Sequence, residues 1–359
     1  MSKHVAFVLA GVGAGGAERV IALLSTKVIE RGWTATIISF DRPDAPVYHD
    51  FHPDVHFVFL GAGPNPRASN LMRTARRFLA LRKALADGQF QLVVSFLTKI
   101  NVLTLLASHG LGLPVIVSER NNPLRQKANP MWGRLVALLY RRAGAIVLQT
   151  DRSRTCLPST ERERAHVIAN PIALPSVIPE TVEYQITAVG RLEDQKGFDM
   201  LIDAFARLAP SRPQWKLVIW GEGPLRKMLT ERSKGHGLDG QVVLPGLSAT
   251  HGAWINPRQI FVLCSRYEGF PNVLGEAMAG GMAAAAFDCD FGPSEMIVHG
   301  QSGLLVPPEN VDALTEALEQ LMDRPELCHQ LARKAAQSAS ALTAECIGKT
   351  WLTLMDNIC

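Results

Sequence analysis

Short apolar runs alternate with helix-like patterns along the whole chain of 359 residues, and this alternation restricts the fold more than any other feature. Runs that are apolar nearly throughout are typical of parallel strands covered by helices on both faces. In the first half they predict strands at 3–9, 33–40, 55–59, 91–96, 114–118 and 144–149, with helices at 17–31, 67–87, 98–109 and 131–143. The pattern therefore predicts an α/β fold built from βαβ units.

The alternation stops at residues 170–183, where three prolines interrupt any periodicity, and then begins again. The second half predicts strands at 184–190, 216–221, 241–246, 259–265 and 283–288, and helices at 198–209, 224–234, 273–280 and 310–322. We therefore expect a domain at 1–170, a linker at 171–183 and a domain at 184–342, with a C-terminal helix at 343–357 that packs back on the first domain. Two such Rossmann-like domains would face each other across a cleft that binds ligands.

Composition limits the functional classes. No apolar run approaches the length of a membrane span, and the N-terminus lacks the pattern of a secretory signal, so we expect a cytoplasmic protein. The six cysteines contain no C-x-x-C pair, which favours reduced thiols over a zinc site. Residues 1–180 contain 22 Lys and Arg against 12 Asp and Glu, whereas the remainder contains 15 against 21. This asymmetry indicates that the first half meets an anionic partner.

A glycine-rich turn follows the first predicted strand, in the stretch VAFVLAGVGAGGAERV. Gly11, Gly13 and Gly16 have the G-x-G-x-x-G spacing, and Asp41 follows the next strand, as in an NAD-binding fingerprint. The spacing alone is weak evidence, because any phosphate-binding turn between a strand and a helix needs glycines for close backbone approach. An NAD-dependent oxidoreductase therefore stays open as an alternative.

The stretch AVGRLEDQKGFDML in the second half places cations at the end of a strand. Arg191 and Lys196 lie just before Gly197 and a predicted helix, an arrangement suited to a diphosphate. The alternative is two exposed basic residues on a loop. In the following WGEGP stretch, Gly221 and Gly223 are typical punctuation between a strand and a helix.

Two carboxylates mark the stretch SRYEGFPNVLGEAMAGG. Glu268 is predicted on a loop, and Glu276 inside a helix that starts near Asn272. Backbone amides at such a helix start can hold an anion, and ionised carboxylates accept hydrogen bonds from sugar hydroxyls. The alternative is two surface glutamates at a chance spacing.

Five motifs together resemble a retaining glycosyltransferase of the GT-B fold, family 4, of the type found in bacterial surface-polysaccharide synthesis. In family order they are GGAER (15–19), GRLEDQKG (190–197), WGEGPLR (220–226), EGFPNVLGE (268–276) and GPSEMIVHGQSGLLVPP (292–308). The resemblance covers nearly the whole chain. It implies that the substrate is a nucleotide diphosphate sugar and that no further cofactor takes part.

The resemblance also implies the site residues. Those that would bind the donor are Gly15, Gly16, Arg191, Lys196, Gly221, Glu268, Gly269, Phe270, Pro271, Asn272 and Glu276. Glu276 would bind ribose, Glu268 the donor sugar, and Arg191 and Lys196 the diphosphate, which removes the need for a metal. Many family members have a histidine after the fifth strand of the first domain, where this chain has Arg120, so the expected catalytic set is Glu268, Arg191, Lys196 and Arg120.

The expected reaction moves a hexose or N-acetylhexosamine from a UDP-sugar to a glycan acceptor, which we expect to be lipid-linked. Residues 67–85 combine arginines with a helical apolar stripe, and this basic helix would bind the enzyme peripherally to the anionic inner face of the cell membrane. The alternative is a solvated helix of the first domain. A nucleic-acid partner is not expected, because no recognition module appears. A non-catalytic sugar-binding protein is the second alternative to the enzyme.

Overall fold

The computed structural model describes residues 3–13, 15–61, 70–120, 122, 130–172, 184–248, 250 and 252–359. The chain divides into two compact units. Unit 1 consists of Met1–Pro171 with Ala344–Cys359, and unit 2 consists of Ile172–Thr343. Most of the predicted linker, 173–183, lies outside the described residues.

Unit 1 is built on a parallel sheet of seven strands, in the order β3-β2-β1-β4-β5-β6-β7. The strands are β1 (His4–Leu9), β2 (Thr34–Ser39), β3 (His56–Phe59), β4 (Leu92–Phe96), β5 (Val115–Ser118), β6 (Ala145–Leu148) and β7 (Ala165–Val167). The first six confirm the sequence prediction. The sequence gives no sign of β7, because three residues are too few to show a period.

The helices of unit 1 between its strands are α1 (Gly16–Glu30), α2 (Asn70–Asp87), α3 (Thr98–Ala107), α4 (Pro130–Leu139) and α5 (Ser159–Arg162). Helix α2 contains most of the predicted basic helix, although Arg67 lies outside the described residues. Its apolar stripe is turned inward, since Leu81 and Leu85 are buried in the core and Phe78 packs against that core. This stripe therefore stabilises unit 1 and is not available to a membrane.

Unit 2 has a parallel sheet of six strands, in the order β10-β9-β8-β11-β12-β13. The strands are β8 (Gln185–Val189), β9 (Lys216–Trp220), β10 (Val242–Gly246), β11 (Ile260–Leu263), β12 (Ala283–Phe287) and β13 (Leu304–Val306). The helices are α6 (Phe198–Leu208), α7 (Arg226–Gly235), α8 (Asn272–Ala279), α9 (Pro293–Met296), α10 (Val311–Asp323) and α11 (Pro325–Ala339). Both sheets thus have the doubly wound Rossmann order, as the alternation predicts.

The last helix, α12 (Ala344–Ile358), packs on unit 1, the unit that also contains the start of the chain. Trp351 of α12 is fully buried and stacks on Phe96, with 5.9 Å between the ring centres. At the surface, Nζ of Lys27 lies 2.6 Å from a carboxylate oxygen of Glu345. Burial of Trp351 is the larger contribution, because an exposed ion pair is worth at most about 1 kcal/mol.

Candidate active site

Unit 2 has a topological switch point between the neighbouring strands β8 and β11. From β8 the chain crosses to β9 on one side of the sheet, and from β11 it crosses to β12 on the other side. Open α/β sheets bind ligands in the crevice that such a reversal creates at the carboxyl ends of the strands. The segments at this crevice are 190–197 after β8 and 264–271 after β11, which contain most of the predicted donor-binding residues.

The structure joins Lys196 and Glu268, which are far apart in sequence, into a buried ion pair. Nζ of Lys196 lies 2.6 Å from Oε1 of Glu268, and the two side chains are only 16% and 7% exposed. The hydroxyl of Ser265 donates a second hydrogen bond, of 2.7 Å, to the same oxygen. Both partners of such a buried pair are shielded from water, so their electrostatic interactions with a ligand that enters the crevice are stronger than in bulk solvent.

A neighbouring thiol experiences the negative charge of Glu268. Burial, and after it the charge of Glu268, raises the pKa of Cys289 to about 12. The thiol of Cys289 is therefore protonated at neutral pH, and we assign it no nucleophilic role.

The loop that carries Lys196 is held by backbone geometry. It ends at Gly197, whose φ of 62° favours glycine and whose missing Cβ leaves room for the carbonyl oxygen of Cys264. Arg266 then ties the loop to the end of β11, because its amide donates to the carbonyl of Gln195 at 2.8 Å and its guanidinium pairs with Asp199 at 2.7 Å. The sequence motifs did not single out Ser265 or Arg266, although both lie within three residues before Glu268 in the quoted stretch.

Arg191 and Gly221 were expected to bind the donor, but they take no part in the buried pair of Lys196 and Glu268. The side chain of Arg191 is 68% exposed and pairs with Glu193 at 3.0 Å, so it takes no part in the buried ion pair. Gly221 has a φ of 142°, and a Cβ there would overlap the carbonyl oxygen of Gly190. Gly221 therefore lets the loops after β8 and β9 approach closely.

Helix α8 begins at Asn272, as the sequence predicts, and Pro271 precedes it without a side-chain cap. The amides of Gly269 and Phe270 have no hydrogen-bond partner among the described residues. The amide of Asn272 differs from the expectation, since it donates to the carbonyl of Phe270 at 3.0 Å. The available backbone donors thus lie two and three residues before the helix start.

Glu276 lies on α8 and is only 2% exposed. Burial of this depth is unusual for a glutamate, because most glutamates lie on the solvated surface. The alternative of two surface glutamates at a chance spacing is therefore wrong for both Glu268, which is 5% exposed, and Glu276.

In unit 1, the glycine turn after β1 is hydrogen-bonded to the carboxylate of Asp41, which follows β2. The amide of Val12 donates to Oδ2 of Asp41 at 2.7 Å, and the hydroxyl of Ser39 donates to the same oxygen at 3.0 Å. Gly15 is the N-cap of α1 and Gly16 its first residue, with no side-chain cap. The carboxylate that an NAD-binding fold would offer to ribose is thus engaged by the turn itself.

Arg120 follows β5 at the carboxyl edge of the unit 1 sheet and is 9% exposed. One of its guanidinium nitrogens, Nη1, donates to Oδ1 of Asn170, while Nε and Nη2 have no hydrogen-bond partner among the residues that the structure describes. Its central carbon lies 5.0 Å from the ring centre of Phe96 and 5.5 Å from that of Trp351. Burial lowers the pKa of Arg120 to about 9.

The preceding residue, Glu119, faces a separate buried network. Its carboxylate accepts hydrogen bonds from the hydroxyls of Thr98 and Tyr140 and from the amide of Asn101. Burial raises the pKa of Glu119 and, together with the charge of Glu119, raises that of Tyr140. Glu119 is therefore engaged away from the guanidinium that follows it in the chain.

Within the described parts of the chain, no three His, Cys, Asp or Glu side chains are grouped closely enough to hold a metal ion. Asp288 and Asp290, which have the D-x-D spelling, follow β12 without forming such a group. None of the helices in the described ranges is both long and apolar enough to cross a membrane.

Two family models match the two halves of the chain. The model described as "Glycosyltransferase Family 4" matches residues 14–174, and the model described as "Glycosyl transferases group 1" matches residues 176–338. The structure is also similar to that of Anabaena HepE, solved in complex with UDP and glucose, with a TM-score of 0.78 and 18% identity over 99% of this chain and 100% of the other. The fold and the family matches together define a glycosyltransferase of the GT-B fold and the family 4 type.

Two of the relatives by sequence are bacterial transferases. A GalNAc-alpha-(1->4)-GalNAc-alpha-(1->3)-diNAcBac-PP-undecaprenol alpha-1,4-N-acetyl-D-galactosaminyltransferase of Campylobacter jejuni is 24% identical over 360 residues, which are 99% of this chain and 98% of that protein. An exopolysaccharide phosphotransferase of Streptomyces coelicolor is 34% identical over 222 residues. That stretch is 60% of this chain but only 23% of the relative. The similarity to the Campylobacter protein, together with the family models, supports a role in glycosyl transfer.

Proposed function

We propose that the protein transfers a hexose or N-acetylhexosamine from a UDP-sugar to a lipid-linked glycan, with retention of the anomeric configuration, in the synthesis of a surface polysaccharide. The observation that carries this proposal is the buried pair of Lys196 and Glu268 at the switch point of unit 2. The similar proteins support the choice of substrates, because HepE binds UDP and glucose and the Campylobacter relative is named for a lipid-linked acceptor.

Each polar group of the crevice has a role in this reaction. The ammonium of Lys196 turns from Glu268 to the diphosphate and stabilises the charge that develops as the diphosphate leaves. The amides of Gly269 and Phe270 donate to phosphate or sugar oxygens, and Glu268 accepts from sugar hydroxyls. Glu276 accepts from the ribose hydroxyls. The cationic side chains supply the charge that a metal supplies in other transferases, and exposed Arg191 can swing toward the diphosphate from the crevice rim.

Retention follows if the leaving phosphate assists the acceptor hydroxyl on the face from which it departs. Nuclear magnetic resonance of the product measures this directly, because the anomeric configuration of a glycosidic linkage does not equilibrate. An α-linked product from an α-linked UDP-sugar is expected. A β-linked product would reject retention while leaving glycosyl transfer intact.

The donor nucleotide is tested by thermal unfolding with UDP, GDP, ADP and NAD, each with and without EDTA. A ligand that binds only the folded state stabilises it by about 2.7 kcal/mol at a hundredfold excess over its Kd. We expect stabilisation by UDP that EDTA does not change. Stabilisation by GDP or ADP alone would overturn the choice of UDP, and stabilisation by NAD alone would restore the oxidoreductase.

Matched variants assign that stabilisation to the crevice. Glu276→Gln keeps the shape of a buried side chain but removes the charge that would face ribose, so it should reduce the effect of UDP. Glu319→Gln removes an exposed carboxylate that pairs with Arg212 at 3.0 Å, and it should respond to UDP as the wild type does. An equal response of both variants would place the nucleotide elsewhere.

We also propose that unit 1 binds an anionic membrane through its outer helical face, formed by the outward sides of α2, α3 and α4, which pack side by side. Between Asp54 and Asp151 the sequence has 13 Lys and Arg, of which Arg120 is buried, but only two acidic residues, Asp87 and the buried Glu119. Exposed apolar side chains accompany this charge on all three helices: Met72, Leu79, Leu106 and Leu138. Cations with scattered apolar groups suit the headgroup region of an anionic bilayer.

The membrane proposal is tested by sedimentation with vesicles of phosphatidylglycerol or phosphatidylcholine. Binding should require the anionic lipid, fall with salt, and be lost in Arg76→Glu with Lys83→Glu, because both side chains are exposed on α2. The control pair Arg207→Glu with Lys227→Glu makes the same charge change on unit 2 and should bind as the wild type does. Equal loss in both pairs would contradict a specific face.

A further inference from the structure

Two hydrogen-bond donors of Arg120 have no partner in the part of the chain that the structure describes. Nε and Nη2 lie on the same edge of the guanidinium, the edge that binds a carboxylate or phosphate through two parallel hydrogen bonds. Both atoms are shielded from solvent and lack a partner within the described ranges, whereas Nη1 on the opposite side donates to Asn170. Nε and Nη2 are therefore the two donors whose geometry suits an oxyanion bound through two hydrogen bonds.

The positive charge of Arg120 is also uncompensated. No carboxylate in the described parts of the chain forms an ion pair with it, and neighbouring Glu119 is engaged by Thr98, Asn101 and Tyr140. The rings of Phe96 and Trp351 attract the cation but provide no lone pairs for its N–H groups. Burying a charge without an opposite charge beside it costs several kcal/mol, and a chain seldom retains such a cost without a use.

The place of Arg120 in the fold agrees with a ligand. It follows β5 at the carboxyl edge of the parallel sheet of unit 1, and open α/β sheets bind their ligands at that edge. We propose that Arg120 is the receptor of unit 1 for a diphosphate oxyanion, which it binds through Nε and Nη2. Because both atoms are closed to solvent, a neighbouring group shifts when the oxyanion enters.

This inference rests on the proposed function, in which two substrates carry a diphosphate that Arg120 could bind. One is the nucleotide sugar, and the other is a lipid-linked acceptor. The role differs from that of a residue at the reacting carbon, because a guanidinium that holds phosphate oxygens positions and neutralises the diphosphate.

The test uses the full-length protein and two probes, UDP and farnesyl diphosphate, in calorimetric titrations. Arg120→Met keeps a long side chain against Phe96 and Trp351 but removes the charge, and Arg120→Lys keeps the charge but removes the two-donor edge. Loss of the bidentate pair should weaken binding of one probe about tenfold or more in Arg120→Met, with a smaller loss in Arg120→Lys. Weaker UDP binding identifies the donor as the source, and weaker farnesyl diphosphate binding identifies the acceptor.

Thermal unfolding separates this role from simple packing. Removal of an uncompensated buried charge should leave the Tm of Arg120→Met equal to or above that of the wild type. A lower Tm with unchanged affinity for both probes would overturn the proposal, as would a wild type that binds neither probe. Failure of the proposed function has a different signature, in which UDP binding is unaffected by Glu276→Gln.

Discussion

Glu268 and Glu276 have similar burial, but in the proposed reaction they bind different parts of the donor, so their variants should have different effects. Glu268→Gln removes a charged acceptor for sugar hydroxyls and should lower kcat by about 10- to 100-fold while UDP alone binds normally. Glu276→Gln should weaken UDP itself by about tenfold. Titration with UDP and steady-state kinetics check both. Equal effects of the two variants on UDP affinity would contradict the assigned roles.

Glu119 provides a prediction about pH. Its folded pKa is raised above the ordinary value of 4.5, mainly by burial, so the folded state favours the neutral acid. Its contribution to stability is therefore fully present below about pH 4.5 and is lost as the pH rises through the folded pKa, by about 1.4 kcal/mol per pH unit.

Glu119→Gln should remove this dependence, because the amide has no charge to bury and can still bond Thr98, Asn101 and Tyr140. Urea unfolding from pH 5 to pH 8 measures the difference. Relative to the wild type, the variant should gain stability as the pH rises. Parallel curves for the two proteins would show that Glu119 does not titrate as proposed.

At the scale of elements, the loop between β8 and α6 depends on one glycine, and a matched glycine provides the control. Gly197 and Gly237 have φ values of 62° and 69°, but only at Gly197 would a Cβ meet backbone, the carbonyl oxygen of Cys264. Gly237→Ala should cost about 1–2 kcal/mol for its left-handed backbone.

Gly197→Ala should cost more than Gly237→Ala and should also weaken UDP binding, because the overlap displaces the loop that carries Lys196. Chemical unfolding and UDP titration of both variants measure these effects. A Gly197→Ala protein with the stability of Gly237→Ala and normal UDP affinity would refute the importance of this close approach.

The sequence and structure agree best where a local pattern decides the element. The strands up to β6 and the start of α8 follow from apolar runs and from the Pro271–Asn272 step. The sequence patterns do not predict helix α11, because alanines on its buried face give only a weak apolar period. The apolar stripe of α2 has a clear period, but the period does not tell which surface the stripe packs against.

The sequence identified residues that belong to the candidate site, but it did not show which of them contact each other. The motifs named Lys196 and Glu268, but only the crossover that makes β8 and β11 neighbours brings their side chains together. The contacts of Ser265 with Glu268 and of Arg266 with Asp199 also lie at the ends of β8 and β11, which this crossover makes neighbours. The contact of Arg120 with Trp351 depends on the return of α12 to unit 1, which no local pattern specifies.

At the scale of the whole molecule, the chain end stabilises the unit in which the chain begins. Trp351→Ala removes a fully buried ring and should cost about 3–5 kcal/mol. Hydrogen exchange should accelerate at the amides of unit 1 and not at those of unit 2. Thr353→Ala changes an exposed position on the same helix and is the control. Equal acceleration in both units would contradict the division of the chain.

The central claim is that the switch point of unit 2 binds the nucleotide diphosphate, and hydrogen exchange with and without UDP tests it most directly. UDP should slow exchange in segments 190–197 and 268–276, including the amides of Gly269 and Phe270, while the exposed side of α7 is unchanged. Protection of the glycine turn at 11–16 by NAD, with no effect of UDP on either unit 2 segment, would contradict it.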